Sequence, residues 1–333
     1  MKGSAPSAIE SLPDDLPRLP ARQRDSHKGT FGTVVVVGGS ASDGIVMLGA
    51  PVLTALAALR TGCGLCKLAT PAPLLAAALG LCPSATGLAL PTDGDGRMQP
   101  HEAAAAMDRC IAHATCLAVG PGLGDSPGAQ AVVLRAVQQD DKPVVLDADG
   151  LNALAAIADF RADFRAAAVL TPHPGEFKRL VSAMGIKGDL GLAQSRETAA
   201  QQLAQRLGAV VVLKGAGTVV TDGQRVWTNT IDHPCLATGG TGDVLTGIIA
   251  SLIAQFVPSP QQTLFKAKVP QMPLPPGRPL DLYDAARLGV AIHGLAGAMW
   301  SRRNGADAGL LAQELTELLP RSVQAARAVG EAT

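Results

Sequence analysis

A single pattern recurs along the chain and limits what it can fold into. A short, continuous apolar run, often β-branched, stops abruptly at Gly, Pro or Asp, and a helical stretch follows. Thr33–Val37 runs into Gly38-Gly39-Ser40, and Leu65–Ala69 into Thr70-Pro71. Leu117–Val119 runs into Gly120-Pro121-Gly122-Leu123-Gly124, and Val144–Leu146 into Asp147-Ala148-Asp149-Gly150. Val169–Leu170 runs into Thr171-Pro172-His173-Pro174-Gly175-Glu176, and Val210–Leu213 into Lys214-Gly215-Ala216-Gly217-Thr218. Strands that are apolar throughout, rather than alternating, have both faces covered. That implies a parallel sheet with helices on each side. The spacing predicts those helices near 50–61, 102–113, 128–139, 175–184 and 194–207. Crossovers between parallel strands are right-handed, so the expected product is a doubly wound three-layer α/β/α sandwich with a mostly parallel central sheet.

Thr218–Thr221 and Arg225–Thr228 alternate around Asp222-Gly223 and read as an antiparallel hairpin on a tight type I′ turn, toward one edge of the sheet. Farther on, Val244–Gln255 is apolar nearly all round and is expected to be buried. Tyr283–Arg303 reads as a second long helix. Between them, Pro258–Leu280 holds seven prolines together with Lys266 and Lys268 and reads as an irregular surface insertion. Residues 1–28 read as a loose polar leader, 29–320 as one domain and 321–333 as a tail.

Composition removes several classes of function. Lys+Arg and Asp+Glu are 28 each, so a net charge of zero makes no electrostatic case for nucleic acid or an anionic membrane. Aromatic residues are only 3%, too few for base-stacking platforms. No uninterrupted apolar stretch is long enough to read as a membrane-spanning helix. The six cysteines accompany no secretory signal and read as reduced cytosolic thiols. Cys63-Gly-Leu-Cys66 has redox-motif spacing, but Cys66 falls within an expected strand, which favours a structural role.

In an open α/β sheet, ligands bind beyond the carboxyl ends of the strands, and this chain places its unusual residues there. Gly239-Gly240-Thr241-Gly242-Asp243 directly precedes the apolar helix. Its glycines let backbone N–H groups converge at a helix N-terminus, which makes an anion hole. A carboxylate beside such a hole, Asp243, suits a base that deprotonates a hydroxyl as it attacks a phosphoryl group. No Gly-x-x-x-x-Gly-Lys-Ser/Thr sequence occurs, so a bound nucleotide is not held by a P-loop. Lys214 can meet a phosphate as a point charge, or lie solvated at a turn. His173, fixed between prolines, is a candidate for ligand contact, and Glu176 falls in the first turn of the following helix. Asp147 and Asp149 have the look of Mg²⁺ ligands acting with nucleotide phosphates, or of turn chemistry. His293, on a small-residue helix face, reads as a packing histidine.

These loops together make the chain resemble the ADP/ATP-dependent NAD(P)H-hydrate dehydratases of the ribokinase-like superfamily. The resemblance runs from about Lys28 to Gly297, interrupted by the insertion. Its segments are Lys28-Gly29-Thr30-Phe31-Gly32, Leu48-Gly49-Ala50-Pro51 through Arg60-Thr61-Gly62, the Gly120–Gly124 loop, Leu146–Asp149, Thr171–Glu176, the Lys214 loop and Ala237–Asp243. The resemblance implies a repair lyase that phosphorylates the hydroxyl of a hydrated NADH or NADPH (NADHX, NADPHX) and then eliminates phosphate. It implies ADP, or ATP, as co-substrate, Mg²⁺ as cofactor, and action on the S epimer. It would place Ala50, Gly122, His173 and Asp243 on the hydrated dinucleotide, with Asp243 as the catalytic base. Lys214, Gly215, Ala216, Gly217 and Thr218 would hold the nucleotide, together with Gly239, Gly240, Thr241 and Gly242. It also implies a cytoplasmic homotetramer, with the epimerase of the same pathway on a separate protein. Family members often carry Gly-Asn-Pro where this chain has Asp232-His233-Pro234. The rival readings are a small-molecule kinase of the same superfamily, of the thiamin-precursor type, and a nucleotide-binding regulatory module without catalysis.

Overall fold

Each of those apolar runs forms a strand in the computed structural model, which describes residues 12–42, 44–186, 193–258 and 279–327. In chain order the strands are β1 (Thr33–Val37), β2 (Ser40–Ser42), β3 (Ile45–Met47), β4 (Leu65–Pro71), β5 (Thr86–Leu90), β6 (Cys116–Val119), β7 (Val144–Leu146), β8 (Ala168–Leu170), β9 (Val210–Leu213), β10 (Val219–Thr221) and β11 (Val226–Thr228). The helices are α1 (Gly49–Thr61), α2 (Leu75–Leu81), α3 (Pro100–His113), α4 (Pro127–Gln138), α5 (Asp149–Ala156), α6 (Phe160–Asp163), α7 (Pro174–Ala183), α8 (Ala193–Leu207), α9 (Thr241–Phe256), α10 (Leu282–Asn304) and α11 (Ala312–Ala325).

The main sheet has nine strands in the order β11-β10-β9-β8-β7-β6-β1-β4-β5. From β5 to β9 every pairing is parallel, and β10 and β11 are added antiparallel at the far edge. Successive side chains of a strand point to opposite faces, and β1 serves both. Val34 and Val36 belong to the core layer that also holds residues of α1, α9, α10 and α11, whereas Val35 and Val37 belong to the layer that holds residues of α3, α4, α5, α7 and α8. All four are fully buried, worth roughly 1.5–3 kcal/mol each on folding. This is the expected three-layer sandwich. From Val244 to Phe256 every residue of α9 is buried, as its sequence implied, and the helix packs on α1, α10 and the sheet.

Three expectations need correction. The described part of the leader is not loose: Leu12, Leu16 and Leu19 are 2%, 4% and 0% exposed and join the core beneath α11. Their spacing puts these leucines on the molecule although their neighbours are polar. The expected tail is continuous with the fold as well, since α11 runs to Ala325 and Arg327 bridges to Leu19. The hairpin is real, but its turn is not type I′. Gly223 has a φ of 90°, whereas Asp222 keeps a negative φ and its Oδ1 accepts from the amides of Gln224 and Arg225. That side-chain cap opens the turn into a four-residue loop. Most of the Pro258–Leu280 insertion lies outside the described residues.

The β2–β3 hairpin, β5, α2 and α11 were not legible as elements. All six cysteines are free and buried. Burial pushes the Cys63 thiol up to about 12 and the Cys66 thiol well above its ordinary value, so neither is a reactive thiolate. Among the described residues, no helix is long and apolar enough to cross a membrane.

Candidate active site

The carboxyl ends of β6 to β9 and the start of α9 gather at one edge of the sheet. Gly240 is the N-cap of α9 with a φ of 89°, a left-handed conformation that a side chain would strain, and no side chain caps the helix. The first-turn amides are thus presented to a ligand rather than to a capping oxygen. Thr241 does not compete for them. Its hydroxyl lies 2.8 Å from the Leu236 carbonyl and 3.0 Å from that of Thr238, which ties the loop shut beneath the helix. Gly242 leaves room for a cation, because a Cβ there would lie 3.4 Å from Lys214 Nζ.

Lys214, at the end of β9, is not a solvated turn residue. Its Nζ donates to Asp147 Oδ1 at 2.6 Å and lies 3.9 Å from Glu176 Oε2. Burial opposes its charge, but Asp147, Glu176 and Asp243 outweigh that and raise its pKa. Asp147 is 1% exposed, and its second oxygen accepts from the Thr246 hydroxyl of α9 at 2.7 Å. Both oxygens of Asp147 are therefore engaged, which favours the role of Lys214's counter-ion over that of an open metal ligand. Asp149 accepts from the Gly124 amide at 2.9 Å and so fastens the Gly120–Gly124 loop, the turn-chemistry reading. Between the two aspartates, Ala148 holds a φ of 50°, a strained value that turns the carboxylates to different tasks.

One lysine thus faces three carboxyl groups. Burial first, and the Asp147 charge next, raise Asp243 to about 7 against the pull of Lys214. Burial likewise raises Glu176 to about 7. A carboxyl that titrates near neutrality is poised to take and return a proton.

His173 is the N-cap of α7. Its Nδ1 accepts from the Gly175 amide at 2.9 Å, and Glu176 returns the capping box by accepting from the His173 amide at 2.7 Å. Its Nε2 lies 3.2 Å from Glu176 Oε1. Burial, then the Lys214 charge, lowers its pKa, so the ring is neutral at physiological pH. The ring stays half-exposed above the carboxylate cluster. Glu176 does more than the sequence suggested, because its buried carboxylate joins His173 to Lys214.

Ala50 and Gly122 sit together on the other flank. Gly122 has a φ of 62°, and a Cβ there would come within 2.8 Å of the Met47 carbonyl and 3.4 Å of Ala50 Cβ. The Thr54 hydroxyl links this flank to Asp243, lying 3.0 Å from the Ala50 carbonyl and 3.1 Å from that of Asp243.

Beside the cluster opens a cavity of about 370 Å³ whose walls include Lys214, Thr218, Ile231, Leu236, Gly242 and His293. Its floor is the Lys214–Thr218 loop. Arg196 holds that loop by donating to the Ala216 carbonyl at 2.9 Å, and the Thr218 hydroxyl closes it onto the Gly215 carbonyl at 2.9 Å. Asp232 accepts from the Gly217 amide at 2.8 Å. The Asp232-His233-Pro234 departure therefore fastens the cavity's two walls together. His293 is half-buried on its helix; it lines the cavity and donates from Nε2 to the Thr241 carbonyl at 2.9 Å. Burial lowers its pKa to about 4, so it remains a neutral donor. Arg196 was missed as a candidate site residue because it acts on a loop distant in sequence, as does Glu176 toward Lys214.

A mostly parallel sheet, with an uncapped Gly-rich helix start and a carboxylate at its carboxyl-end edge, defines an α/β fold of the ribokinase-like kind whose edge can receive an anion. A ribokinase-like superfamily protein from Enterococcus faecalis superposes with a TM-score of 0.69 at 24% identity, covering 93% of each chain. The sequence profile of the NAD(P)H-hydrate dehydratases matches residues 34–321, and the chain belongs to that family. It is similar to the bifunctional NAD(P)H-hydrate repair enzyme Nnr of Salinibacter ruber, 43% identical over 75% of this chain and 45% of that one. It is also similar to the ADP/ATP-dependent NAD(P)H-hydrate dehydratase of Bacillus subtilis, co-crystallised with ATP/Mg²⁺. That structure is 28% identical with a TM-score of 0.68, covering 95% of this chain and 100% of that one. The chain spans about half the length of the curated relatives it matches.

Proposed function

We propose that this chain dehydrates S-NADHX and S-NADPHX to NADH and NADPH at the expense of ADP. The observation that carries the reading is Asp243, a half-buried carboxyl pushed up to about 7 by its surroundings, set in the first turn of α9 beside open Gly-rich amides. In the first step Asp243 takes the proton of the ring hydroxyl. The freed oxygen bonds to the terminal phosphorus of ADP, and the bond from that phosphorus to the AMP phosphate oxygen breaks. The amides of Gly239–Gly242 and the positive end of α9 stabilise the charge on the transferring group. In the second step the carbon–oxygen bond to the new phosphate breaks, assisted by the ring nitrogen's lone pair. A proton leaves the adjacent carbon, and the ring double bond is restored.

Each loop has a part in this reading. The apolar cavity beside Lys214–Thr218 fits the adenosine end of the nucleotide. Ala50 and Gly122 give the dinucleotide close backbone approach, and half-exposed His173 offers a neutral ring to it. Lys214 carries one positive charge among three carboxyl groups, so it cannot also neutralise a diphosphate. Mg²⁺ would supply that charge. Among the described residues no group of three or more His, Cys, Asp or Glu side chains could hold a metal, so the ion would be bound chiefly by phosphate oxygens and water. The reduced, buried thiols suit a cytoplasmic setting. A homotetramer and a pathway epimerase complete the reading as the family resemblance implies them.

The kinase alternative shares the first step only. Phosphorus analysis separates the two: a dehydratase releases one inorganic phosphate per restored cofactor, whereas a kinase leaves a stable phosphate ester. Accumulation of the ester would overturn the proposal.

A further inference from the structure

At the edge of the sheet opposite Asp243, α1 and α11 end side by side, and the chain near Arg22 passes between them. A cleft of about 450 Å³ opens there, lined by Arg22, Arg60, Thr61, Gln324 and Arg327 among others, with no acidic residue among the described residues of its walls. It is remote from the catalytic edge. Helix α1 has 13 residues, so about 20 Å separates the Ala50 end from the Arg60 end.

Two of the arginines are built in. Arg22 donates to the Gly62 carbonyl, lies 3.0 Å from Gln255 Oε1 and stacks 3.7 Å over the Phe31 ring. Arg327 donates to the Pro20 carbonyl. These bonds fix both guanidinium groups without neutralising them. Burial and then the Arg22 charge lower the pKa of Arg327, so like charges face each other across the cleft. Arg60, exposed on the last turn of α1, adds a third. Among the described residues no carboxylate lies within ion-pair distance of any of the three. A second, independent observation comes from Thr61. Thr61 is 2% exposed and belongs to the cleft wall, and its buried hydroxyl has no hydrogen-bond partner among the described residues. Stapling the two chain ends together accounts for one nitrogen each of Arg22 and Arg327. It does not account for the uncompensated charge, for Arg60 or for the orphaned hydroxyl.

We propose that this cleft is a second binding site, for a phosphoryl-bearing small molecule. The guanidinium fork matches phosphate oxygens in pairs, and an anion held by three of them relieves their mutual repulsion. The volume exceeds what a single phosphate fills, so a diphosphate or an organic phosphate is the better occupant. The test is calorimetric titration of the full chain with pyrophosphate and, separately, orthophosphate, repeated on Arg60→Gln. Among the described residues Arg60 makes no internal bond, so this variant keeps the fold, checked by its unfolding midpoint. An anion bound at the Gly239–Gly242 edge is common to both proteins and cancels in the comparison. The expected result is a pyrophosphate site in the parent, besides any at the Gly239–Gly242 edge, that weakens by about tenfold or more in Arg60→Gln and fades as ionic strength rises. Tighter binding of pyrophosphate points to a diphosphate-bearing ligand, and equal binding to a single phosphoryl group. Identical sites and affinities in parent and variant would overturn the proposal.

Discussion

Asp243 and Glu176 are ordinary carboxyl groups moved to neutrality by where the chain buries them. That displacement fixes the pH dependence of turnover. A base must be ionised to act, so kcat/KM should rise with pH as one proton is lost near pH 7, and it should be low at pH 5. Because the two groups share Lys214, the observed midpoint belongs to the cluster and not to either residue. Replacing Asp243 with Asn should lower kcat by about 10²–10⁴-fold and remove this limb. A retained limb would transfer the base role elsewhere. The sign for stability is opposite. Both folded pKa values lie above the unfolded ones, so the contribution of these groups is present at low pH and is lost as pH rises toward and through 7. Asp243→Asn should therefore unfold at a higher temperature than the parent at pH 8, although inactive. Lys214 holds the cluster together. Lys214→Met leaves buried carboxylates unpaired and should cost about 3–5 kcal/mol in denaturant unfolding at pH 8, with a smaller loss at pH 5, where the carboxyl groups are protonated.

At the scale of elements, the site is made by loops that hold one another. Asp232 belongs to one wall of the cavity and fastens the amide of Gly217 in the other. Asp232→Ala should loosen that wall and raise the KM for the nucleotide by about tenfold or less while leaving kcat near its parent value. An unchanged KM would reduce the contact to a local cap. The same loops show what the chain makes legible. Continuous runs such as Val34–Val37 and Val210–Leu213 announce buried parallel strands, and topology then puts their following loops on one edge. Asp243 and Lys214 were readable as site residues because Gly-rich stretches adjoin them. Glu176 was readable only as a helix-start residue, and Arg196 not at all. Their partners lie across the fold, so no local spacing carries the information. The β2–β3 hairpin was hidden because it is short and its Ile45 and Val46 are 63% and 61% exposed, with no face to alternate against the core.

On the scale of the whole molecule, residues 12–28 are part of the fold and not an appendage. Leu12, Leu16 and Leu19 cover the side of the core beneath α11, while Arg18 and Arg327 donate across the junction to the carbonyls of Ala325 and Pro20. Its polar, Pro-rich composition masks this, because a few well-placed leucines are enough to dock it. Leu19→Ala should destabilise the protein by about 2–5 kcal/mol, measured by denaturant unfolding, as expected for a fully buried leucine. A change near zero would show that the segment rests on the surface. Helices α1 and α9 both run from the catalytic edge toward the arginine cleft, so the two ends of the molecule share one buried helix pair.

On the proposed function, the Asp243 edge restores a hydrated nicotinamide by way of phosphoryl transfer. The most direct test is to mix the protein with S-NADHX, Mg²⁺ and either ADP or ATP, and to follow the absorbance of the dihydronicotinamide. Recovery that needs a nucleotide, is faster with ADP and disappears in Asp243→Asn is the predicted result. No recovery with either nucleotide, from folded protein that still binds ADP, would contradict the account.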